Sequence, residues 1–197
     1  MHKAPLIILA SRSPARRELM KELGFPFKCH ASEIFEDMNA RKDPAELAMY
    51  LASQKAQHIA AKYANAIIIG VDTFVTIGKE KIGKPENVKD AEKILRRMSG
   101  KKIQVISGIA VLKTNSAKKI VRELISHAVT TLTMVKIPAK EIRSHASRPQ
   151  SLEVAGGITI EKDGDLISKI DGDYNNVVGL PLMQLKEMLE EMGISRP

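Results

Sequence analysis

The chain predicts a mixed α/β fold, and three observations lead there. Short apolar runs alternate with amphipathic helical stretches along most of its 197 residues. Long hairpin-like stretches also occur, which a purely doubly wound parallel sheet would not contain. Hydrophobic residues make up 44% and charged residues 27% of the sequence, enough to bury a proper core.

The elements follow in order. Pro5 to Ala10 reads as a buried strand, and Pro14 to Leu23 as a helix that Gly24 stops. A short strand fits Phe27 to Ala31. Asp43-Pro44, an N-cap residue before proline at the first helical position, opens a long helix to about Tyr63. AIIIGV, residues 66 to 71, is a second buried strand, and Phe74 to Ile82 reads as a hairpin around Gly78-Lys79. Val88 to Met98 carries apolar residues at helical spacing and ends at Ser99-Gly100. Two long strands, Ile103 to Lys113 and Ile120 to Val135, join through a polar turn at Asn115-Ser116, and Pro138 to Ala146 is helical. Gly156 to Ile160 and Leu166 to Ile170 flank a Lys-Asp-Gly-Asp turn, and Leu180 to Met192 forms a last helix. There is no repeat, low-complexity linker or long charge block, so residues 1–197 read as a single domain.

Composition narrows the function. The net charge of +8 suggests an anionic partner, either nucleic acid or a phosphorylated small molecule. Aromatics are only 4%, with no Trp, and neither zinc-finger spacing nor an RNP-like motif is present, which makes nucleic acid the weaker choice. A single cysteine, Cys29, excludes an intrachain disulfide and a cysteine-based zinc cluster. No apolar run approaches the ~20 residues of a spanning helix, and no signal-peptide core stands at the start, so the expected location is the cytoplasm and not the membrane. The serine-hydrolase elbow, the Walker A loop and the dinucleotide fingerprint are all absent. Four internal histidines lie far apart without metalloprotease spacing, and His2 is terminal.

Chemistry concentrates at a few junctions. ASRSPARREL, residues 10 to 19, is a strand-to-helix turn, where free amides and the helix dipole favour an anion. Ser11 and Ser13 add hydroxyls there, and Arg12, Arg16 and Arg17 add guanidinium groups suited to phosphate. The same pattern also describes an ordinary helix start, with Ser13 as N-cap and Pro14 behind it. Asp72-Thr73 follows directly on the apolar strand, where a carboxylate can ligate a divalent cation or polarise a water, or simply cap a turn. Lys84, fixed beside Pro85, is a possible phosphate contact. Glu33, Glu36 and Asp37 form a small acidic patch, either metal-binding or solvated, and Lys55 sits in the helical stretch Ser53-Gln54-Lys55-Ala56.

In order, LASRSPARRELMKELG, ASQKA, IIIGVDTFV, IGKPENVKDAEKILRRMSGK and GDYNNVVGLPLMQLKEML resemble the Maf family of nucleoside triphosphate pyrophosphatases, over nearly the whole chain. The resemblance implies an elongated, inosine-triphosphatase-like fold: a curved mixed sheet flanked by helices, with two lobes and a central cleft. It implies hydrolysis between the α and β phosphates of a nucleoside triphosphate with a divalent cation, Mg²⁺ or Mn²⁺, and often a homodimer. The family's phosphate-handling positions fall on Ser11, Arg16, Lys55 and Lys84, and its acidic, metal-holding positions on Glu36 and Asp72. Asp72 is its usual proton acceptor, and Thr73 occupies a position linked to substrate choice.

Departures are local. Ala15 takes the place of the first of two arginines that usually follow Ser-Pro. In RPQSLEVAGGITI, residues 148 to 160, Arg148 replaces an acid, Leu152 a lysine, and Thr159 the glutamine tied to base recognition. The resemblance therefore leaves the base open: a methylated guanine or a broad range fits as well as thymine and uracil. The alternative function is a non-catalytic regulatory protein that binds a nucleotide or nucleic acid.

Overall fold

The computed structural model describes residues 5–194, so His2 lies outside the described part. Seven strands form one mixed sheet in the order β2-β1-β3-β5-β6-β7, with β4 paired to β3. The strands are β1 (Leu6–Leu9), β2 (Phe27–Cys29), β3 (Ala66–Ile77), β4 (Glu80–Ile82), β5 (Lys102–Thr114), β6 (Ile120–Met134) and β7 (Ile167–Asp171). The helices are α1 (Pro14–Glu22), α2 (Pro44–Ala60), α3 (Val88–Met98), α4 (Ala139–Ala146), α5 (Ile160–Asp163), α6 (Tyr174–Val178) and α7 (Leu182–Glu191). β1 runs parallel to β2 and β3, whereas β3–β4 and β6–β7 are antiparallel, so the expected mixed sheet is found.

The chain divides into two compact units. The first comprises the residues up to Asp72, Ser107–Ala128 and the chain from Gly179 onward; the second comprises Thr73–Ile106 and Val129–Val178. Three of the boundaries fall inside β3, β5 and β6, and the fourth follows α6.

In the first unit the core lies between the sheet and α2. Asp43 caps α2 by accepting from the amides of Ala45 (2.9 Å) and Glu46 (3.0 Å), and Pro44 starts it, as the Asp-Pro pair predicts. α2 presents Ala48, Ala52 and Ala56, one small residue per turn. They lie against glycines of the sheet: a Cβ on Gly70 would sit 2.1 Å from the Ala52 oxygen, and one on Gly108 2.1 Å from the Ala48 oxygen. The helix backbone thus rests almost directly on β3 and β5, and Ile8, Ala10, Ile59 and Ile68 close the core around it.

In the second unit α3 packs on α4. Asn87 caps α3 through the amide of Asp90 (3.0 Å), and its stripe of Ala91, Ile94, Leu95 and Met98 meets Ile103, Val105, Leu132 and Met134.

One expectation needs correction. β3 does not stop before Asp72 but runs on to Ile77, and its buried run continues through Asp72, Phe74, Val75 and Thr76, with only Thr73 and Ile77 partly exposed. Of the two stretches flanking the Lys-Asp-Gly-Asp turn, the second is mostly β7 and the first, Gly156 to Ile160, is not a strand. Ala155–Gly157 forms a tight 3-10 turn with Gly156 and Gly157 both at positive φ, and α5 begins at Ile160. Two consecutive glycines in left-handed conformations break strand geometry. The polar turn at Asn115 is as expected, its side chain accepting from the amides of Ala117 and Lys119, each at 3.0 Å. Of the methionines in the last helix, Met188 and Met192 are core and Met183 is exposed.

Candidate active site

Several sequence-predicted residues meet in the first unit. Ser13 caps α1 and Pro14 opens it, so Arg16 falls in the first turn, as read from the sequence. The guanidinium turns back toward the sheet: Nε donates to the Gly179 carbonyl (2.8 Å) and one terminal nitrogen to the Val71 carbonyl (3.0 Å), adjoining Asp72. Burial pushes the pKa of this guanidinium below its ordinary value, and the negative charges of Asp72 and Glu36 act in the opposite direction. Ser11 is buried at the end of β1, two residues past the Leu9–Ile69 pair that puts β1 beside β3. Its hydroxyl accepts from the Ser13 amide at 3.1 Å.

Lys55 and Asp72 are brought together by the glycine–alanine packing. Side chains alternate along a strand, so Gly70 and Asp72 leave β3 on the same face. Gly70 lies against Ala52 and Ala56, and Asp72, one step further, meets Lys55 from the same helix. Lys55 Nζ donates to Asp72 Oδ1 at 2.5 Å and to Glu36 Oε1 at 2.9 Å. Asp72 and Lys55 are buried (6% and 9% exposed), whereas the Glu36 side chain is half in solvent. One ammonium thus bridges an internal and an external carboxylate.

Among the described residues no group of three or more His, Cys, Asp or Glu side chains is placed to hold a metal ion. Two carboxylates converging on one cation are nevertheless enough for Mg²⁺, which takes one or two carboxylates and fills its other positions with water and phosphate oxygens. The donor set fits a cation shared with a phosphorylated ligand. Glu33 and Asp37 stay out of the cluster; Asp37 accepts from the Asn39 amide at 2.9 Å in a local turn.

Thr73, Lys84 and Thr159 belong to the second unit. Thr73 is half-buried on β3, its side chain leaving the strand opposite to that of Asp72. Lys84 is exposed in the loop between β4 and α3, beside buried Pro85, and the Gly83 carbonyl accepts from the Gly156 amide at 3.0 Å. Thr159 precedes α5, and its amide donates to Asp163 Oδ2 at 2.8 Å.

Sequence reasoning missed two features. The Gly179 carbonyl is a partner of Arg16, and Gly179 has φ +121° with Arg16 Nε 3.6 Å from where a Cβ would stand. Asp163, buried at 3%, receives His145 Nδ1 (2.9 Å), Arg148 (2.6 Å) and the Thr159 amide. It gathers two of the residues by which segment 148 to 160 departs from the family pattern. Asn176 is fully buried and donates to the Val105 carbonyl and to Thr130 Oγ1, each at 3.0 Å, which makes it a structural residue of the second unit.

The architecture is shared with solved structures. A HAM1 protein from Coxiella burnetii superposes with a TM-score of 0.54 at 18% identity, covering 95% of this chain and 99% of that one. The Ham1 protein of Staphylococcus aureus gives 0.51 at 12% identity, covering 94% and 98%. These likenesses are of fold alone, and the class they define is the mixed α/β one expected from the sequence. Sequence comparison goes further. The family model described as Maf-like protein matches residues 6–192, and the chain belongs to the Maf family. It is 41% identical over 191 residues to a Dictyoglomus thermophilum protein named dTTP/UTP pyrophosphatase, covering 96% of this chain and 97% of that protein. It is 37% identical over 193 residues to a Synechococcus protein named nucleoside triphosphate pyrophosphatase, covering 97% and 96%.

Proposed function

We propose that this chain is a nucleoside triphosphate pyrophosphatase, a hydrolase of acid anhydrides that cleaves between the α and β phosphates. The observation that carries the reading is the cluster of Arg16, Lys55, Glu36 and Asp72, in which two cations and two carboxylates share one site. Membership of the Maf family and the names of the relatives support it.

The residues divide the chemistry among them. Arg16, held by two backbone carbonyls, offers a fixed guanidinium to the polyphosphate at little further entropic cost. Lys55 already serves two carboxylates, so an arriving phosphate, more densely charged than either, draws it away from Asp72. The Asp72 carboxylate is then free to accept the proton of a water whose oxygen attacks the α phosphorus. The bond from that phosphorus to the bridging oxygen breaks, and pyrophosphate leaves against the cationic side chains. Glu36 and Asp72 are the residues that would hold Mg²⁺ or Mn²⁺, which when bound neutralises phosphate charge. Ser11 adds a phosphate contact. Lys84 as a phosphate cation and Thr73 and Thr159 as substrate-choosing residues are proposed on the family pattern alone. The enzyme is assigned to the cytoplasm, where its nucleotide substrates are. Among the described residues no helix is long and apolar enough to cross a membrane.

Pyrophosphate release tests the reading over dTTP, UTP, the purine triphosphates and methylated or otherwise modified nucleotides, with Mg²⁺, Mn²⁺ and EDTA. Release with at least one of them, abolished by EDTA, is expected. Nucleotide binding without release would leave a regulatory protein instead, and binding of nucleic acid with a steep salt dependence would point to the other rival.

A further inference from the structure

Phe35 is the most exposed large apolar side chain among the described residues, at 89%. It stands immediately before Glu36, whose carboxylate is 2.9 Å from Lys55, so its Cα is about 3.8 Å from that of a residue of the anion cluster. The loop carrying it is anchored on both sides. Before it, the His30 amide donates to the Leu9 carbonyl (3.0 Å), and His30 Nδ1 lies 2.9 Å from the Tyr63 hydroxyl. After it, Asp37 closes a turn onto Asn39 and Ala40, and the Arg41 guanidinium lies 4.4 Å from the centre of the Tyr50 ring. Between these contacts the loop presents a bare ring to water next to Glu36, which pairs with Lys55 of the charged cluster.

A nucleoside triphosphate has two chemically distinct ends, a polyanion and a flat π-face. Resting on the pyrophosphatase reading, we propose that Phe35 is the stacking platform for the nucleobase, so that one short loop holds the base through Phe35 and meets the phosphate end through Glu36. Stacking needs no pattern of donors and acceptors, and every base has a face to offer. Phe35 therefore sets affinity for nucleotides in general and does not select among bases.

The test is equilibrium binding of dTTP, a purine triphosphate and inorganic tripolyphosphate to the full chain and to F35A, F35L and F35W, run beside pyrophosphate release. F35A is expected to weaken both nucleotides by a similar factor of about 5 to 150, the range of one lost stack, while tripolyphosphate binding stays within about two-fold. F35W should bind as tightly as the unaltered chain, and F35L should resemble F35A. Unchanged nucleotide affinity in F35A overturns the proposal, as does an equal loss for tripolyphosphate or full recovery in F35L. If the unaltered chain releases no pyrophosphate, the activity reading fails, and the nucleotide-to-tripolyphosphate ratio still decides the stacking. If it holds no nucleotide, both fall. The side chain is exposed, so the variants are expected to melt with the unaltered chain.

Discussion

Each unit contains a buried carboxylate, and the two are built differently. Asp163 is saturated by its own stretch of chain: His145, Arg148 and the Thr159 amide all donate to it, across eighteen residues of sequence. Asp72 is tied to a lysine that a second, exposed carboxylate also holds, beside an arginine anchored to backbone carbonyls. The first arrangement has little left to offer a ligand. In the second, the lysine can exchange partners when a stronger anion arrives. On the proposed reading Asp163 is a structural staple and Asp72 the working group.

That contrast can be broken. The largest effect should come from D163A, which leaves buried donors and a guanidinium unpaired. It should cost about 3–5 kcal/mol and lower the melting temperature by roughly 10 °C, with turnover of the folded enzyme falling less than about tenfold. A thermal melt with a parallel rate checks this; unchanged stability with a lost rate would make Asp163 the working group instead. Next is D72N, which should cut pyrophosphate release at least ~100-fold, the low end for losing a general base. Activity close to that of the unaltered chain would remove Asp72 from the role. The smallest effect belongs to E36Q. Its pair with Lys55 is half exposed, so stability should move by no more than about 1 kcal/mol. The Mg²⁺ concentration for half-maximal rate should rise, and a flat Mg²⁺ titration would exclude Glu36 from holding the ion.

Much of the fold was legible because local signals agreed with the global structure. Asp43-Pro44, Asn87 and Asn115 act at the positions where their side-chain chemistry serves caps and turns. The candidate site was legible mainly through ordered family segments. Single residues such as Lys55 or Glu36 look like any solvated charge until a partner is seen. AxxxAxxxA at residues 48 to 56 and the glycine before Val71 were available signals for close helix-on-sheet packing, and they lead directly to the Lys55–Asp72 pair. The shape of segment 148 to 160 was not legible: Gly156 and Gly157 adopt positive φ, and the segment is tied to Gly83 and Asp163.

By itself the sequence determined the mixed α/β class, most helix starts, the apolar strands and family membership, because these follow from periodicity, capping chemistry and ordered motifs. Only the tertiary structure decided that one lysine bridges Glu36 and Asp72, that a backbone carbonyl from residue 179 fixes Arg16, and that Phe35 is left in water. The physical reason is distance along the chain. Pairings between residues 17 to 163 positions apart depend on how the strands and α2 pack, and no local propensity encodes them.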